Sequence, residues 1–432
     1  MHSAGRVVFV VVAVIVAACG VREPQIDRAD VERIITTLAA DDMQGRRAFT
    51  PAADAAAKFI GEEFAAAGLE PFDGADDYLQ SFSVYSLSVD HCSVTINGTQ
   101  MAEEAVACNL SVPSVDWNTA DAVQVVVVGP DDSPMRSFVT ARRARRNTLM
   151  LVHPQHRETF ARLRGFLGRG SRSLDLEGGT STVLVLTDAS VADSYSVQAV
   201  ATAEEDHLVN VVGVIAGRRA EEIVLFSAHY DHIGLLEPVD GDAIANGAND
   251  DASGTTAVIE LARYFHAKRR PERTLVFAAF TAEEVGGYGS SYLSRQLDPE
   301  KIVAMFNIEM IGKVSAQGPH AAWITGFERS DFGEILQQAV QGTQYSFYPD
   351  PYPDQNLFYR SDNATLARLG VPAHSISTTP IDVDPDYHQV SDEVETLDLD
   401  HLTDTIRAIA TAAGPIVSGA ATPTRIDPAT VQ

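Results

Sequence analysis

From Val209 onward the chain alternates apolar runs with amphipathic stretches, and no other feature restricts its fold as tightly. The runs "NVVGVIAG", "EIVLFSAHYD", "RTLVFAAFTAEE", "VAMFNIEMIG", "AAWITGF" and "VPAHSIST" are short and almost uninterrupted by polar residues until their ends. Between them, "SGTTAVIELARYFHAKRR" places Val258, Ile259, Leu261, Ala262 and Phe265 on one helical face, and "GSSYLSRQL", "SDFGEILQQAVQ", "TLARLG" and "LDHLTDTIRAIATAAGPIV" follow as further helix candidates. Strands apolar on both sides must be covered on both faces. The expectation for residues 206–419 is therefore an α/β domain, a mostly parallel twisted sheet with helices on both faces.

Residues 30–84 read as the opening helices of the same domain, with Gly68 placed to stop the second of them. Residues 85–205 change texture: "QVVVVG", "TLMLVH" and "STVLVLT" are short β-like runs split by a basic helix-like stretch, which suggests an inserted β-rich α+β domain. Residues 20–29 read as a tether and 420–432 as a polar tail. No repeat of solenoid or propeller period is present.

With 45% hydrophobic residues the chain is not disordered. Its 32 Lys plus Arg against 59 Asp plus Glu give a formal charge of -27, which repels phosphate backbones and argues against a nucleic-acid partner. The one basic cluster, "RRARRN" from Arg142, reads as a solvated helix face, with a receptor for anions as the alternative. At the amino end Arg6 precedes an apolar run from Val7 to Ala18 of about 12 residues, short of the roughly 20 that span a bilayer. This has the form of a secretory signal, and "VAAC" resembles a bacterial lipobox, so residues 1–19 are expected to direct export and Cys19 to carry the lipid of a membrane-anchored lipoprotein of the outer membrane, cell surface or periplasm. Gly20 after that Cys suits outer-membrane sorting. Cys92 and Cys108 are left as an even pair, free to form a disulfide in an exported compartment or to remain separate buried thiols.

Ligands of open α/β sheets sit beyond the carboxyl ends of the strands, and polar residues gather at those places here. "LFSAHYD" ends in His229 and Asp231, "GANDDASG" puts Asp250 and Asp251 in a turn before a helix, "FAAFTAEEVGG" delivers Glu283 and Glu284, "MFNIEMIG" delivers Glu309, and "DPDYHQVSD" offers His388 in a polar loop. Each alone reads as a cap or a solvated residue; Asp251 and Ser253 could cap the helix near Gly254. Together they bring carboxylates close enough to repel, which a cation would relieve. Imidazole and carboxylate ligands without thiolate suit zinc in a hydrolytic site.

The blocks "AHYDHIG", "GANDDASG", "TAEEVGGYGS", "NIEMIG", "FYRSDN" with "GVPA", and "YHQVSDEVETLD" resemble, in order and spacing, those of the co-catalytic di-zinc aminopeptidases, a family that includes bacterial leucyl aminopeptidases and aminopeptidase Y, with glutamate carboxypeptidase and glutaminyl cyclase as relatives. The resemblance is loose over residues 30–84 and close over about 207–415. It implies two Zn2+ per chain, one held by His229, Asp250 and Glu309, the other by Asp250, Glu284 and His388, with Asp250 bridging. It implies Glu283 as the general base and Asp231 as the carboxylate that fixes the His229 tautomer, both catalytic positions. His232, His374 and Asp392 match no ligand and read as structural. Departures are visible: many members carry Asp where Glu309 stands, strict spacing gives Phe358 rather than Tyr359 at the position of the carbonyl-polarising tyrosine of some members, and Asn363 stands where His is common. The inserted domain resembles, weakly, protease-associated modules.

The resemblance therefore implies a zinc exopeptidase, foremost an aminopeptidase, acting on extracytoplasmic peptide substrates. A glutaminyl-cyclase-like acyl transferase on the same fold and a non-catalytic peptide-binding lipoprotein are the alternatives. A serine hydrolase lacks its G-x-S-x-G elbow, and no P-loop or dinucleotide fingerprint is present.

Overall fold

The computed structural model describes residues 24–431; the expected export signal, residues 1–19, with Cys19 lies outside the described residues. Helix α1 (Arg28–Leu38) begins at Asp27, whose side chain accepts from Ala29 N, and α2 (Pro51–Ala67) has Pro at its first position and stops at Gly68 with φ +83°, a conformation glycine adopts without penalty. Strand β1 (Leu79–Ile96) follows. After an insertion come β2 (Tyr195–Ile215), β3 (Arg219–His229), α3 (Ser253–His266), β4 (Arg273–Phe280), α4 (Tyr288–Gln296), β5 (Ile302–Ile308), β6 (Ala321–Ile324), β7 (Ser346–Pro349), α5 (Asn363–Ala367), β8 (Ala373–Ser377) and α6 (Leu399–Ala412).

The main sheet runs in the order β7-β6-β8-β5-β3-β4-β2-β1. Its centre is parallel, with β3 between β4 and β5 and β8 beyond β5, and its flanks are antiparallel where β2 pairs with β4 and β6 with β8. Alternate residues of the buried strands enter different cores. Val224, Phe226 and Ala228 pack with α1, α2, α3 and α6, whereas Leu225 packs with Leu293 of α4 and Leu366 of α5. Two-sided burial is the reason these strands read as unbroken apolar runs. Phe226 stacks between Phe277 and Phe306 with ring centroids at 5.2 and 4.8 Å, and burying one such ring contributes about 1.5–3 kcal/mol.

Strands β1 and β2 pair along their whole length, from Leu79 opposite Val211 to Ile96 opposite Tyr195. The boundaries expected at 85 and 205 thus fall inside two continuous strands: the ladder leaves the main sheet and frames the insert itself. The insert adds a four-stranded sheet (Val106–Asn109, Thr182–Leu186, Thr148–Val152, Gln124–Val128) and two apolar clusters of its own. Cys92 and Cys108 are joined by a disulfide with Cα atoms 6.6 Å apart. Residues 420–431, polar in composition, are packed rather than trailing. Ile426 and Val431 are buried, and the buried Arg273 guanidinium donates to the carbonyls of Ile416 and Ala421 at 2.7 and 2.6 Å.

His374 on β8 is buried against Phe332, with Nδ1 2.8 Å from Thr325 O and Nε2 2.7 Å from Ser330 Oγ. Burial pushes its pKa down to about 4, below the roughly 6.5 of an unfolded histidine. Between those values the unfolded chain binds the extra proton, so this residue's contribution to stability is complete above the unfolded value and is lost as pH falls toward 4. In an NMR titration the His374 ring should remain neutral down to about pH 5.

Candidate metal centre

The carboxyl ends of the central parallel strands meet at one place. His229 closes β3, Glu283 and Glu284 follow β4, and Glu309 follows β5. Asp250 lies in the turn before α3, where the Asp250–Asp251 peptide is cis, and His388 lies in the loop between β8 and α6. His229 Nε2 is 3.3 Å from Asp250 Oδ1 and 3.2 Å from Glu309 Oε1. His388 Nε2 is 3.2 Å from Asp250 Oδ2 and 3.3 Å from Glu284 Oε2. The two oxygens of Asp250 therefore face two different donor groups, and the five residues singled out as ligands converge on that one carboxylate.

His232 belongs to the same cluster, contrary to its reading as a bystander. Its Nδ1 is 2.8 Å from Glu284 Oε1 and 3.8 Å from Asp250 Oδ2, yet the 2.8 Å approach lacks hydrogen-bond alignment, and both ring nitrogens and Glu284 Oε1 are buried without a hydrogen-bond partner. Donor atoms of His232, Asp250 and Glu284 lie within 4.8 Å of one another, as do those of His229, Asp251 and Glu309. Asp251 is partly engaged elsewhere: Oδ1 accepts from Gly254 N at 3.0 Å, as a cap would, and from Met310 N at 2.9 Å.

The local electrostatics fit a cationic occupant. Burial opposes ionisation of Asp250, but His232, His229 and His388 outweigh it and hold the carboxyl well below its usual range. Burial likewise opposes a charge on His388, yet hydrogen bonds to Asp250 and Glu284 carry its pKa up to about 10. His229 is raised well above its usual value, with Glu309 and Asp250 overcoming burial. The carboxylates thus draw protons onto imidazoles that elsewhere would be neutral at pH 7. Buried carboxylate oxygens with unpaired lone pairs, imidazoles that offer a nitrogen lone pair once a cation displaces their protons, and no thiolate make a donor set that suits divalent zinc. Glu283 and Asp231 are held up instead, Glu283 well above the carboxylate range and Asp231 to about 7, chiefly by burial.

Neighbouring groups fix the orientation of this set. Glu309 Oε2 accepts from Ser361 Oγ at 2.6 Å, Ser361 Oγ accepts from Asn307 Nδ2 at 2.7 Å, and Asn307 Oδ1 accepts from Ser227 Oγ at 2.8 Å. Removing the bond with Ser361→Ala should lower the affinity for the ion held by Glu309 about tenfold, measurable by zinc retention against a graded chelator, because partners that orient ligands are typically worth 10- to 100-fold. The Asp392 carboxylate accepts from Asn249 N and Asp250 N at 2.9 and 3.0 Å, which makes this residue, expected to be structural, the clamp on the Asp250 turn.

Arg46 was not singled out from the sequence, and with Arg273 it is the largest of the fully buried side chains among the described residues. Its guanidinium donates to the carbonyls of Tyr230, Leu38, Asn246 and Gly247 at 2.6, 2.7, 2.6 and 2.9 Å, tying the ends of two loops that carry metal-centre residues. The preceding Gly45 has φ +65°, and a Cβ there would stand 2.2 Å from Ala245 O, so only glycine lets the chain approach so closely. Arg46→Met orphans four buried carbonyls and should destabilise the fold by about 3–5 kcal/mol in urea denaturation.

Three expectations change in detail. The Asp231 carboxylate does not hold His229: Nδ1 is 3.0 Å from the Asp231 backbone carbonyl and 3.8 Å from Oδ1, and Oδ1 accepts instead from Glu283 N at 3.1 Å. Tyr359 points away from the centre, its hydroxyl accepting from Arg329 Nη2 at 3.0 Å. The tyrosine at the site is Tyr387, stacked on His388 with centroids 4.0 Å apart, and burial pushes its phenol up so that it stays protonated. Its position directly before His388 was the available signal. Asn363 is buried, donating to Phe358 O at 3.1 Å and accepting from Ser375 Oγ at 2.9 Å, and so holds the fold rather than a ligand. Beside Glu309 a pocket opens between Met310, Trp323, Leu357, Ile381 and Tyr387.

Residues 210–413 match the model of Peptidase family M28. Leucine aminopeptidase 1 of Trichophyton rubrum is 27% identical over 210 residues, 46% of this chain and 56% of that protein. A probable zinc metalloprotease of Leptosphaeria maculans is 40% identical over 106 residues, 24% of each chain. The chain thus spans about half the length of the leucine aminopeptidase it matches and a quarter of the metalloprotease. Among solved structures, an aminopeptidase from Aneurinibacillus sp. strain AM-1 superposes with a TM-score of 0.54 at 18% identity, covering 94% of this chain and 96% of that one. A zinc aminopeptidase from Bacillus subtilis gives 0.56 at 17% identity, covering 93% and 98%. At such identities these two likenesses speak for the fold.

Proposed function

The chain belongs to peptidase family M28 through residues 210–413, and on that premise we propose that it is a zinc-dependent aminopeptidase, hydrolysing the first peptide bond of peptides outside the cytoplasm. The observation that carries this reading is the pair of donor groups meeting on Asp250, with Glu283 beside them. His229, Asp250 and Glu309 would hold one ion, Asp250, Glu284 and His388 the other, with His232 against the second group. Bound zinc supplies Lewis acidity toward a peptide carbonyl and an acidified water.

The protein's own groups would do the rest. Glu283, anchored through its backbone N–H to Asp231, takes a proton from the attacking water onto its carboxylate and returns it to the leaving amine nitrogen. Its raised proton affinity suits both halves of that transfer. The Tyr387 O–H, kept protonated, is available to donate to the carbonyl oxygen as charge develops there. The apolar wall of Met310, Trp323, Leu357 and Ile381 receives the first side chain. Export and anchoring through Cys19 form part of the proposal, supported by the apolar leader and by a disulfide of the kind that persists in oxidising compartments.

Digestion of a peptide library followed by mass spectrometry tests the reading. Successive loss of amino-terminal residues is expected; carboxyl-end trimming, cyclisation of amino-terminal glutamine, or intact peptides would overturn it.

A further inference from the structure

The stretch "RRARRN" finds a counterpart in the catalytic module. Arg142, near the end of the insert's helix Pro134–Arg143, and Arg145 just beyond it line a cavity of about 920 Å³ together with Tyr359, Arg360 and Arg368. All four guanidinium side chains are exposed, and no Asp or Glu is among the described residues lining the cavity. Arg142 lies 5.8 Å from the Phe138 ring, and Arg360 donates to Gln355 Oε1 and to the Tyr387 hydroxyl Oη, each at 3.3 Å. Among the described residues no carboxylate forms an ion pair with Arg142, Arg145 or Arg360. Such a concentration of positive charge is an exception on a chain with a net charge of -27. It sets up a local attraction for anions inside a field that otherwise repels them.

Arg360 joins this cavity to the metal centre. It also lines the pocket that holds Glu309, and its bond to Tyr387 reaches the ring stacked on His388. A peptide held by its amino end near Glu309 has its later residues directed outward, and Arg360 lies on both walls. Planar guanidinium forks match carboxylates in a way that surface lysines do not.

We propose that this cavity binds carboxylates of the peptide beyond the cleaved bond, so that acidic residues after the first, or the terminal carboxylate of a short peptide, increase turnover. The proposal rests on the peptidase reading for its consequence and on the four arginines for its site.

The zinc-loaded full-length protein is assayed with Leu-Gly-Glu-Glu-amide, Leu-Gly-Gln-Gln-amide, Leu-Gly-Gln-Gln with a free carboxyl end, and Glu-Gly-Gln-Gln-amide. Binding of a fluorescein-labelled Gly-Glu-Glu-Glu-amide is read in parallel by anisotropy. The first or third peptide should exceed the second in kcat/KM by about fivefold, the scale of a few exposed ion pairs acting together, and the excess should shrink as salt shortens the screening length. Acceleration of the first assigns the cavity to acidic side chains, and of the third to the chain terminus. Arg142→Gln with Arg145→Gln should bring the ratio toward one and weaken tracer binding, while Arg142→Lys with Arg145→Lys, which keeps the charge and loses the fork, falls between that pair and the unmodified protein in both. Equal rates, a preference confined to glutamate in the first position, or a ratio and tracer affinity indifferent to the Gln pair would overturn the proposal while leaving the aminopeptidase reading intact. Arginine-dependent tracer binding without hydrolysis of any peptide would keep the anion-binding cavity and sink the peptidase reading.

Discussion

Glu283→Gln should reduce kcat/KM for aminoacyl substrates by about 100-fold or more, the usual worth of a positioned general base, with nearly all of the loss in kcat. Glutamine keeps the shape and the backbone bond from Glu283 N to Asp231 Oδ1, but it cannot take a proton from water. Because Glu283 is not one of the groups gathered around Asp250, zinc content measured by mass spectrometry should not change. Loss of zinc together with activity would make Glu283 a ligand; full activity would remove it from the mechanism.

Stripping the ions with a chelator is the second large effect. Activity should fall to background and return when zinc is restored. The fold should weaken as well, because removal leaves Asp250, Glu284 and Glu309 facing one another with only imidazolium protons to neutralise them. An ion present at a thousand times its dissociation constant stabilises the native state by about 4 kcal/mol, which for a unit of this size corresponds to a fall in Tm of about 10 °C on chelation. A stripped protein that melts at the same temperature would mean that the carboxylates are satisfied without metal.

Much of this centre was legible in the sequence because the physics that places it is local and repeated. An apolar run that stops at His229, Phe280 or Ile308 announces the end of a buried strand, and the residues just past those ends occupy one rim of a parallel sheet. Where the reading went wrong, an expected role had been set above the local geometry. Asp231 was assigned to His229 through the resemblance, but β3 ends at His229, so the chain turns and presents the Asp231 carbonyl instead. His232 was set aside because it matched no expected ligand, although the same turn directs its ring at Glu284.

Other parts had no signature to read. Arg46 acts through carbonyls as far as 201 residues away, and a side chain bonded to backbone leaves no mark on the spacing of its partners. The insert was placed by its change of texture, but its edges were invisible because β1 and β2 run without interruption through both modules. The tail looked dispensable by composition, yet two apolar residues, Ile426 and Val431, suffice to seat it on the core.

Anomalous diffraction at the zinc edge from crystals of the zinc-loaded protein tests the central claim most directly. Two peaks should be found, one among His229, Asp250 and Glu309, the other among Asp250, Glu284 and His388, with an Asp250 oxygen directed at each. A single peak, or none at this carboxylate, would contradict the account.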